Sequence, residues 1–172
     1  MGQETTTIPI LNPGFEDDVL ACAGANCDAA PLTGWSCGPF AGVFKPTTAQ
    51  FPNGVPRGTN VAYLGRDTMT GSILQTVGAT VHANTTYVLN LNVGARADSP
   101  FTGYLAALMA GNVTLAYDNS LFPVPGTFLT DVIVYKSGAN PRQLGQHLQI
   151  LIKNVGTGQA DIDDVSLTAT HQ

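Results

Sequence analysis

Near its end the chain reads Ala160-Asp161-Ile162-Asp163-Asp164-Val165-Ser166-Leu167, and this stretch carries the most information about the fold. If it forms a β-strand, side chains alternate between two faces, so Asp163, Val165 and Leu167 share one face. Val165 and Leu167 are expected to face the core, which would bury the Asp163 carboxylate with them. A buried carboxylate needs a basic partner or a cation with oxygen ligands, such as calcium. Because the chain has seven Lys and Arg in 172 residues, a metal is the simpler expectation.

A second acidic group lies near the other end of the chain. The stretch Asn12-Pro13-Gly14-Phe15-Glu16 places a carboxylate directly after a turn-forming segment. We therefore expect the two ends of the chain to lie side by side.

The composition is that of a folded β-rich protein with a neutral polar surface. Charged residues make up 11% and hydrophobic residues 44%, and the net charge is −5. Disordered chains combine high charge with low hydrophobicity, so disorder is excluded. Nucleic acid and anionic membranes are poor partners, because both bind basic patches and this chain has none.

We expect a secreted protein that acts outside the cell or at the cell surface. No apolar stretch approaches the roughly 18 residues of a membrane-spanning helix. The start, Met1-Gly2-Gln3-Glu4, is not typical of a signal peptide, because it lacks a charged segment followed by an apolar one.

The three cysteines, Cys22, Cys27 and Cys37, fall within one loop-like stretch. We expect a disulfide between Cys22 and Cys27, with Cys37 left over, while pairings of Cys37 with either of the others remain open. Zinc is disfavoured, since three sulfurs without a nearby histidine form an incomplete ligand set.

Short β-prone runs bounded by Gly, Pro, Asn and Asp follow one another along the whole chain, without helical periodicity. The clearest alternation places Tyr87, Leu89, Leu91 and Val93 on a core face, with Asn90 and Asn92 among the residues opposite. About ten strands are expected, with little or no helix. The sequence therefore predicts an all-β antiparallel sandwich with jelly-roll topology, in which residues 1–9 are an N-terminal extension or first strand, 10–169 a single domain and 170–172 a tail.

The order of several short motifs resembles that of galactose-binding-like jelly-roll domains, as found in carbohydrate-binding modules of the four/nine/twenty-two type. The motifs are Asn12-Pro13-Gly14-Phe15-Glu16, Gly34-Trp35, Asn60 to Gly65, Ile73 to Val77, Thr86 to Leu89, Gly94 to Asp98, Leu108 to Gly111 and Ile162 to Leu167. The resemblance covers about Ile10 to Thr168. It implies a structural calcium ion that ties the first strand region to the last, with Glu16 and Asp163 as its carboxylate ligands.

A sugar-binding face needs flat aromatic rings and rigid hydrogen-bonding groups. The residues that could supply them are Gln75, Asn92, Arg96, Asp98, Tyr104 and Tyr117. Trp35 is expected in the core.

Catalysis is disfavoured by the residues. The three histidines lie far apart in the sequence, and no serine lies in a nucleophile motif. The paired carboxylates, such as Asp163 and Asp164, are adjacent and would face opposite ways in a strand, whereas glycoside hydrolysis needs two that flank one bond.

We therefore expect a non-enzymatic, extracellular module that binds polysaccharide or another glycan. The alternative is a structural or adhesive surface protein that self-associates through the edges of its β-sheets. Both expectations rest on the fold rather than on a defined site.

Overall fold

The computed structural model describes residues 3–24, 28–29 and 32–172. Its described part contains twelve strands and no helix. The strands are β1 (Thr5–Ile8), β2 (Asp28–Ala29), β3 (Ser36–Cys37), β4 (Ala41–Phe44), β5 (Val61–Leu64), β6 (Ser72–Thr80), β7 (Thr85–Ala95), β8 (Tyr104–Ala110), β9 (Val113–Asp118), β10 (Thr127–Lys136), β11 (His147–Asn154) and β12 (Ala160–His171).

Two antiparallel sheets form a sandwich. The first sheet has the order β10-β7-β12-β5-β4-β2, with β1 paired to the far end of β12, and the second has the order β3-β6-β11-β8-β9. Consecutive strands mostly lie in different sheets, so the chain crosses from one sheet to the other instead of forming a series of hairpins. The predicted all-β jelly-roll sandwich is confirmed.

The main core lies between the two sheets and follows the predicted alternation. In β7, Tyr87, Leu89, Leu91 and Val93 are all buried, while Asn90 and Asn92 on the opposite face are partly exposed. Trp35 is also buried, as predicted, and it donates from Nε1 to the Asn12 carbonyl oxygen at 3.2 Å. Alternation in this sheet therefore defines an inner face toward the core and an outer face.

The first and last strands pair along their length, from Thr5 opposite Thr170 to Ile8 opposite Leu167. The turn that follows β1 contacts the last strand directly, because Val165 donates its backbone N–H to the Pro13 carbonyl oxygen at 2.9 Å. The two ends of the described chain therefore lie side by side.

A β-bulge in the last strand corrects the prediction for Asp163. In β12, Asp163 lies opposite Asn92 and Ser166 lies opposite Asn90, so Asp164 and Val165 are inserted between them. Asp164 has a φ of 51°, the left-handed conformation at which the strand bends. Because of this bulge, Asp163 is on the outer face while Val165 still packs in the core. Asp163 is buried all the same, beneath a loop rather than in the core.

Cys37 is a free thiol, which removes the alternatives in which it forms a disulfide. The predicted bond between Cys22 and Cys27 involves Cys27, which lies outside the described residues, so it stays a prediction. Within the part of the chain that the structure describes, there is no helix of the length and apolarity needed to cross a membrane.

Candidate active site

A second, smaller apolar cluster lies on the outer face of the first sheet. Phe44 and Val61 project from neighbouring strands, Tyr63 follows on β5, and Phe51 comes from the loop between β4 and β5. All four are buried. We call these four residues the outer cluster; Val55 and Phe128 pack against it.

The loop of residues 45–60 covers this face. Phe51 of the loop stacks on Phe128 of β10 with ring centroids 4.5 Å apart. Gln50 anchors the loop, because its carbonyl oxygen accepts a hydrogen bond from Ala97 N at 3.1 Å and its Nε2 donates to Asp98 Oδ2 at 3.3 Å. Farther along, the Arg57 backbone N–H donates to Asp163 Oδ2 at 2.7 Å.

Asp161 lies on the same face, between the strands that carry Tyr63 and Gly94. It is opposite Tyr63 of β5 on one side and opposite Gly94 of β7 on the other. Gly94 leaves room for the Phe128 ring, which a Cβ atom at position 94 would overlap. Asp161 therefore has Tyr63 on one side and, on the other, the glycine beside which the Phe128 ring lies.

The burial of Asp161 changes its chemistry. Its side chain is 0% exposed, and Oδ1 accepts a hydrogen bond from Gln159 Nε2 at 2.7 Å. Oδ2 is buried and has no hydrogen-bond partner among the described residues. Burial raises the pKa of Asp161 to about 7, because an ionised carboxylate is poorly solvated there. Near neutral pH this group is a protonated acid for part of the time.

A buried arginine completes the polar side of the site. Arg96 donates from Nε and Nη2 to the two carboxylate oxygens of Asp98 at 2.8 and 2.9 Å, and from Nη1 to Gln159 Oε1 at 3.1 Å. Its guanidinium also lies over the Phe44 ring, 5.3 Å from the centroid. The hydrogen bonds from Arg96 lower the pKa of Asp98, so Asp98 is the ionised partner of this arginine.

An open cleft reaches this network from the surface. It has a volume of about 540 Å³, and Arg96 and Asp98 line it beside the edge-to-face ring pair Phe101 and Phe122. That volume lies in the range of small-molecule sites, roughly 300–1,000 Å³. The arrangement therefore combines an apolar, aromatic environment, a carboxylic acid and a cleft large enough for a small organic molecule.

The structure brings together only some of the residues predicted for ligand binding. Arg96 and Asp98 form the ion pair just described. Asn92 lies four residues before Arg96 on the outer face of β7, where its Oδ1 accepts from Thr130 Oγ1 at 2.9 Å. The other three lie on the second sheet, so the expectation of one shared face is wrong.

Each of those three residues has a separate environment. Gln75 is buried and bonds to the backbone of Leu11 through both ends of its amide. Tyr104 is buried in the core, where its hydroxyl donates to Asp131 Oδ2 at 2.6 Å. Tyr117 is 61% exposed on the edge strand β9.

Glu16 and Asp163 reach the same segment of the covering loop. Glu16 Oε1 accepts the backbone N–H groups of Thr59 and Asn60 at 2.9 and 2.8 Å, just beyond the Arg57 amide that binds Asp163. The described residues contain no group of three or more His, Cys, Asp or Glu arranged for a metal ion. The pKa of Asp163 is raised to about 7, mainly by burial and in part by the charges of Asp164 and Glu16.

Sequence reasoning missed Asp161, the second residue of β12, and Gln159, which directly precedes that strand. The available signal was the alternation in β12, which also places Asp161 on the face of Asp163. It indicates a shared face but not burial, because the burial of Asp161 depends on the loop 45–60, about 100 residues away in the sequence.

Comparisons with known proteins identify a family. The model of the HpiC1-like family, described as HpiC1 cyclase, matches residues 6–168. No curated protein sequence matches the chain.

Several solved cyclase structures are similar to this chain over nearly their whole length. The Stig cyclase Fisc from Fischerella sp. TAU, in complex with (3Z)-3-(1-methyl-2-pyrrolidinylidene)-3H-indole, is 27% identical, with a TM-score of 0.85 and coverage of 96% of this chain and 98% of that one. A cyclase from Fischerella sp. TAU in complex with 4-(1H-indol-3-yl)butan-2-one is 28% identical, with a TM-score of 0.80 and coverage of 95% and 97%.

A carbohydrate-binding module shares the fold at lower similarity. TmCBM61, in complex with β-1,4-galactotriose, is 12% identical, with a TM-score of 0.61 and coverage of 94% of this chain and 98% of that one. This likeness explains why the motif order resembles such modules, but it reports the fold alone.

The cyclase matches correct the functional predictions. The expectations of a non-enzymatic module, of a structural surface protein as its alternative and of a polysaccharide partner are wrong, because the family and the similar structures are cyclases. Two of those structures hold small indole compounds. The physical reason is that one jelly-roll sandwich supports both kinds of site, and the motifs that carry the resemblance build the sandwich.

Proposed function

Because this chain belongs to the HpiC1-like family of cyclases, we propose that it is an enzyme that closes a ring in a small, largely apolar substrate, with Asp161 as the general acid. The observation that carries the proposal is the buried Asp161 carboxyl, whose Oδ2 has no partner among the described residues. A neutral acid in an aromatic environment can donate a proton to an apolar molecule, which an ionised carboxylate cannot do.

The substrate class follows from the lining of the site and from the similar structures. Phe44, Phe51, Tyr63 and Phe128 offer ring faces on which a planar aromatic ring can pack. The similar cyclases bind indole compounds. We therefore propose an indole that carries an unsaturated side chain as the substrate.

The reaction balances without a further reactant. The Asp161 proton adds to a carbon of a substrate double bond and leaves a cation at its neighbour. A second π bond attacks that cation and forms the new carbon–carbon bond. The proton that leaves the ring product returns to the Asp161 carboxylate, so the product is an isomer of the substrate.

Access to Asp161 requires a movement, since its side chain is fully buried. The stacked pair of Phe51 and Phe128 closes the site, and the ring of a substrate can replace one partner of that pair. The cleft beside Arg96 and Asp98 is the proposed entrance.

The test compares turnover of 3-alkenyl indoles by the wild-type protein with that by Asp161→Asn, and detects products of unchanged mass but new retention by chromatography with mass spectrometry. Asp164→Asn is the matched control, because Asp164 lies on the same strand but its side chain is 45% exposed. We expect at least a hundredfold loss in Asp161→Asn alone, given the usual contribution of about 10²–10⁴ from a general acid. Equal turnover by the two variants would refute the assignment.

We also propose that Glu16 and Asp163 hold a calcium ion. The charges of Glu16 and Asp164 act on the Asp163 carboxyl, and Arg57 contacts Asp164 at 3.5 Å. Each oxygen of Asp163 accepts one N–H at 2.7 Å, which leaves a lone pair on each for a cation. Backbone carbonyls would have to supply the remaining oxygen ligands that calcium needs.

A further inference from the structure

The amide of Gln159 lies between the guanidinium of Arg96 and the carboxyl of Asp161. Its Oε1 accepts from Arg96 Nη1 at 3.1 Å, and its Nε2 donates to Asp161 Oδ1 at 2.7 Å. All three side chains are more than nine-tenths buried. The two hydrogen bonds therefore form in an environment where water cannot readily replace either partner.

The orientation of this amide is fixed by its two hydrogen-bond partners. A guanidinium group has only donors, so the amide oxygen must face Arg96 and the NH₂ group must face Asp161. Arg96 cannot rotate to relieve this constraint, because Asp98 holds it through two hydrogen bonds of 2.8 and 2.9 Å. Reversing the amide would place its NH₂ group against the donors of Arg96 and its oxygen against Asp161.

The fixed amide determines which Asp161 oxygen is protonated. Oδ1 accepts the N–H of Gln159, so a proton on Oδ1 in that direction would meet a second hydrogen. Oδ2 has no partner among the described residues. We propose that Gln159 is a positioning residue that keeps the acidic proton of Asp161 on Oδ2, an inference that rests on the proposed role of Asp161 as the general acid.

This placement matters because a proton donor works only from the oxygen that the substrate can reach. A carboxylic acid without such a neighbour can hold its proton on either oxygen. Gln159 therefore directs the proton toward Oδ2, the oxygen without a partner among the described residues.

Gln159→Glu is the decisive variant. The introduced carboxylate still accepts from Arg96, but it places an acceptor instead of a donor against Oδ1. The Asp161 proton then moves to Oδ1 to make a hydrogen bond with it, away from the productive oxygen. Gln159→Met is the second variant, since it keeps the side-chain length but removes both polar groups.

The main readout is the infrared carbonyl band of protonated Asp161 near pH 6, identified as the band that Asp161→Asn removes. We expect the band to persist in both Gln159 variants and to shift in frequency, because the partner of Oδ1 changes. Turnover of 3-alkenyl indoles should fall at least a hundredfold in Gln159→Glu and by less in Gln159→Met. Binding of 4-(1H-indol-3-yl)butan-2-one should change less than threefold.

An Asp161 band that has the same frequency in the wild type and in both variants would overturn the inference. In that case, loss of turnover in Asp161→Asn alone would still support the general acid, so the two proposals can fail separately. Absence of any band that Asp161→Asn removes would also overturn the inference, because there would be no proton to position.

Discussion

Asp161 and Tyr63 lie opposite each other in adjacent antiparallel strands, so the carboxyl that we assign as the acid is next to an aromatic side chain on the outer face of the first sheet. Both residues are buried even though that face points away from the main core. Their burial comes from the loop 45–60, which makes the outer face of one sheet into an enclosed site. The fold thus has two apolar regions. One lies between the sheets and stabilises the fold, and the other lies beneath the loop, where we propose that the reaction takes place.

The stability of the protein should depend on pH through Asp161. Its pKa is raised to about 7, so between about pH 4 and pH 7 the folded state keeps a proton that the unfolded chain has released, and rising pH destabilises the fold. Asp161→Asn stays neutral throughout. We expect the free energy of unfolding of this variant to rise relative to wild type by up to a few kcal/mol between pH 5 and pH 8.

Urea denaturation at the two pH values measures this difference. Any contribution from Asp163 is common to both proteins and cancels. Asp17→Asn serves as the control, because Asp17 is exposed, and should show no comparable trend. A pH-independent difference between Asp161→Asn and wild type would mean that Asp161 is ionised in the folded protein.

The contact between Gln50 and Asp98 should hold the covering loop in place. Gln50 is buried, and its side chain also accepts the Thr47 N–H at 2.9 Å. Gln50→Ala removes both side-chain hydrogen bonds, so we expect a loss of about 1–2 kcal/mol in unfolding free energy. Amide exchange of Phe51, whose N–H binds the Thr47 carbonyl oxygen, should become faster while exchange in β7 stays the same.

Hydrogen exchange followed by mass spectrometry measures the effect, with Gln3→Ala as an exposed control. If exchange at Phe51 is unchanged in Gln50→Ala, backbone contacts such as that of Ala97 with the Gln50 carbonyl oxygen are sufficient to hold the loop.

The fold was readable from local patterns, whereas the site was not. Alternation in β7 identified Leu89 and Leu91 as core residues, because successive side chains of this strand point alternately to the inner and the outer face. The same reasoning failed at Asp163, since the bulge beginning at Asp164 changes the phase of the strand and has no signal in a plain alternation.

The sequence indicated some of the site residues more clearly than others. Arg96 and Asp98 were identified as hydrogen-bonding residues of the loop after β7, although they were assigned to a sugar ligand. Asp161 did not stand out among three neighbouring aspartates. What distinguishes it is burial by a loop distant in sequence, and such long-range packing is not visible in local sequence.

Calcium should stabilise the protein if Glu16 and Asp163 bind it. After treatment with a chelator, addition of calcium should raise the melting temperature, because a ligand at a hundred times its Kd contributes about 2.7 kcal/mol. Glu16→Gln and Asp163→Asn should abolish the increase, whereas the exposed neighbour in Asp17→Asn should not.

The effect should also depend on pH. The pKa of Asp163 is raised to about 7, and calcium binds the ionised form, so the increase in melting temperature should be larger at pH 8 than at pH 6. Equal melting temperatures with calcium and with chelator at pH 8 would exclude a structural calcium ion at these residues.

The buried pair of Tyr104 and Asp131 should contribute to stability by joining the two sheets. Tyr104 lies in β8 of the second sheet and Asp131 in β10 of the first, and the hydroxyl donates to the carboxyl at 2.6 Å. Burial raises the pKa of Asp131, and the hydrogen bond from Tyr104 opposes that rise. Tyr104→Phe therefore leaves a buried acceptor without this donor, at a cost of about 1–3 kcal/mol in unfolding free energy.

Tyr117→Phe is the matched control, because Tyr117 is 61% exposed, and should change stability by less than about 0.5 kcal/mol. Chemical denaturation of the two variants at pH 7 distinguishes them, and a loss in Tyr104→Phe no larger than that in Tyr117→Phe would show that this hydrogen bond adds nothing to the association of the sheets.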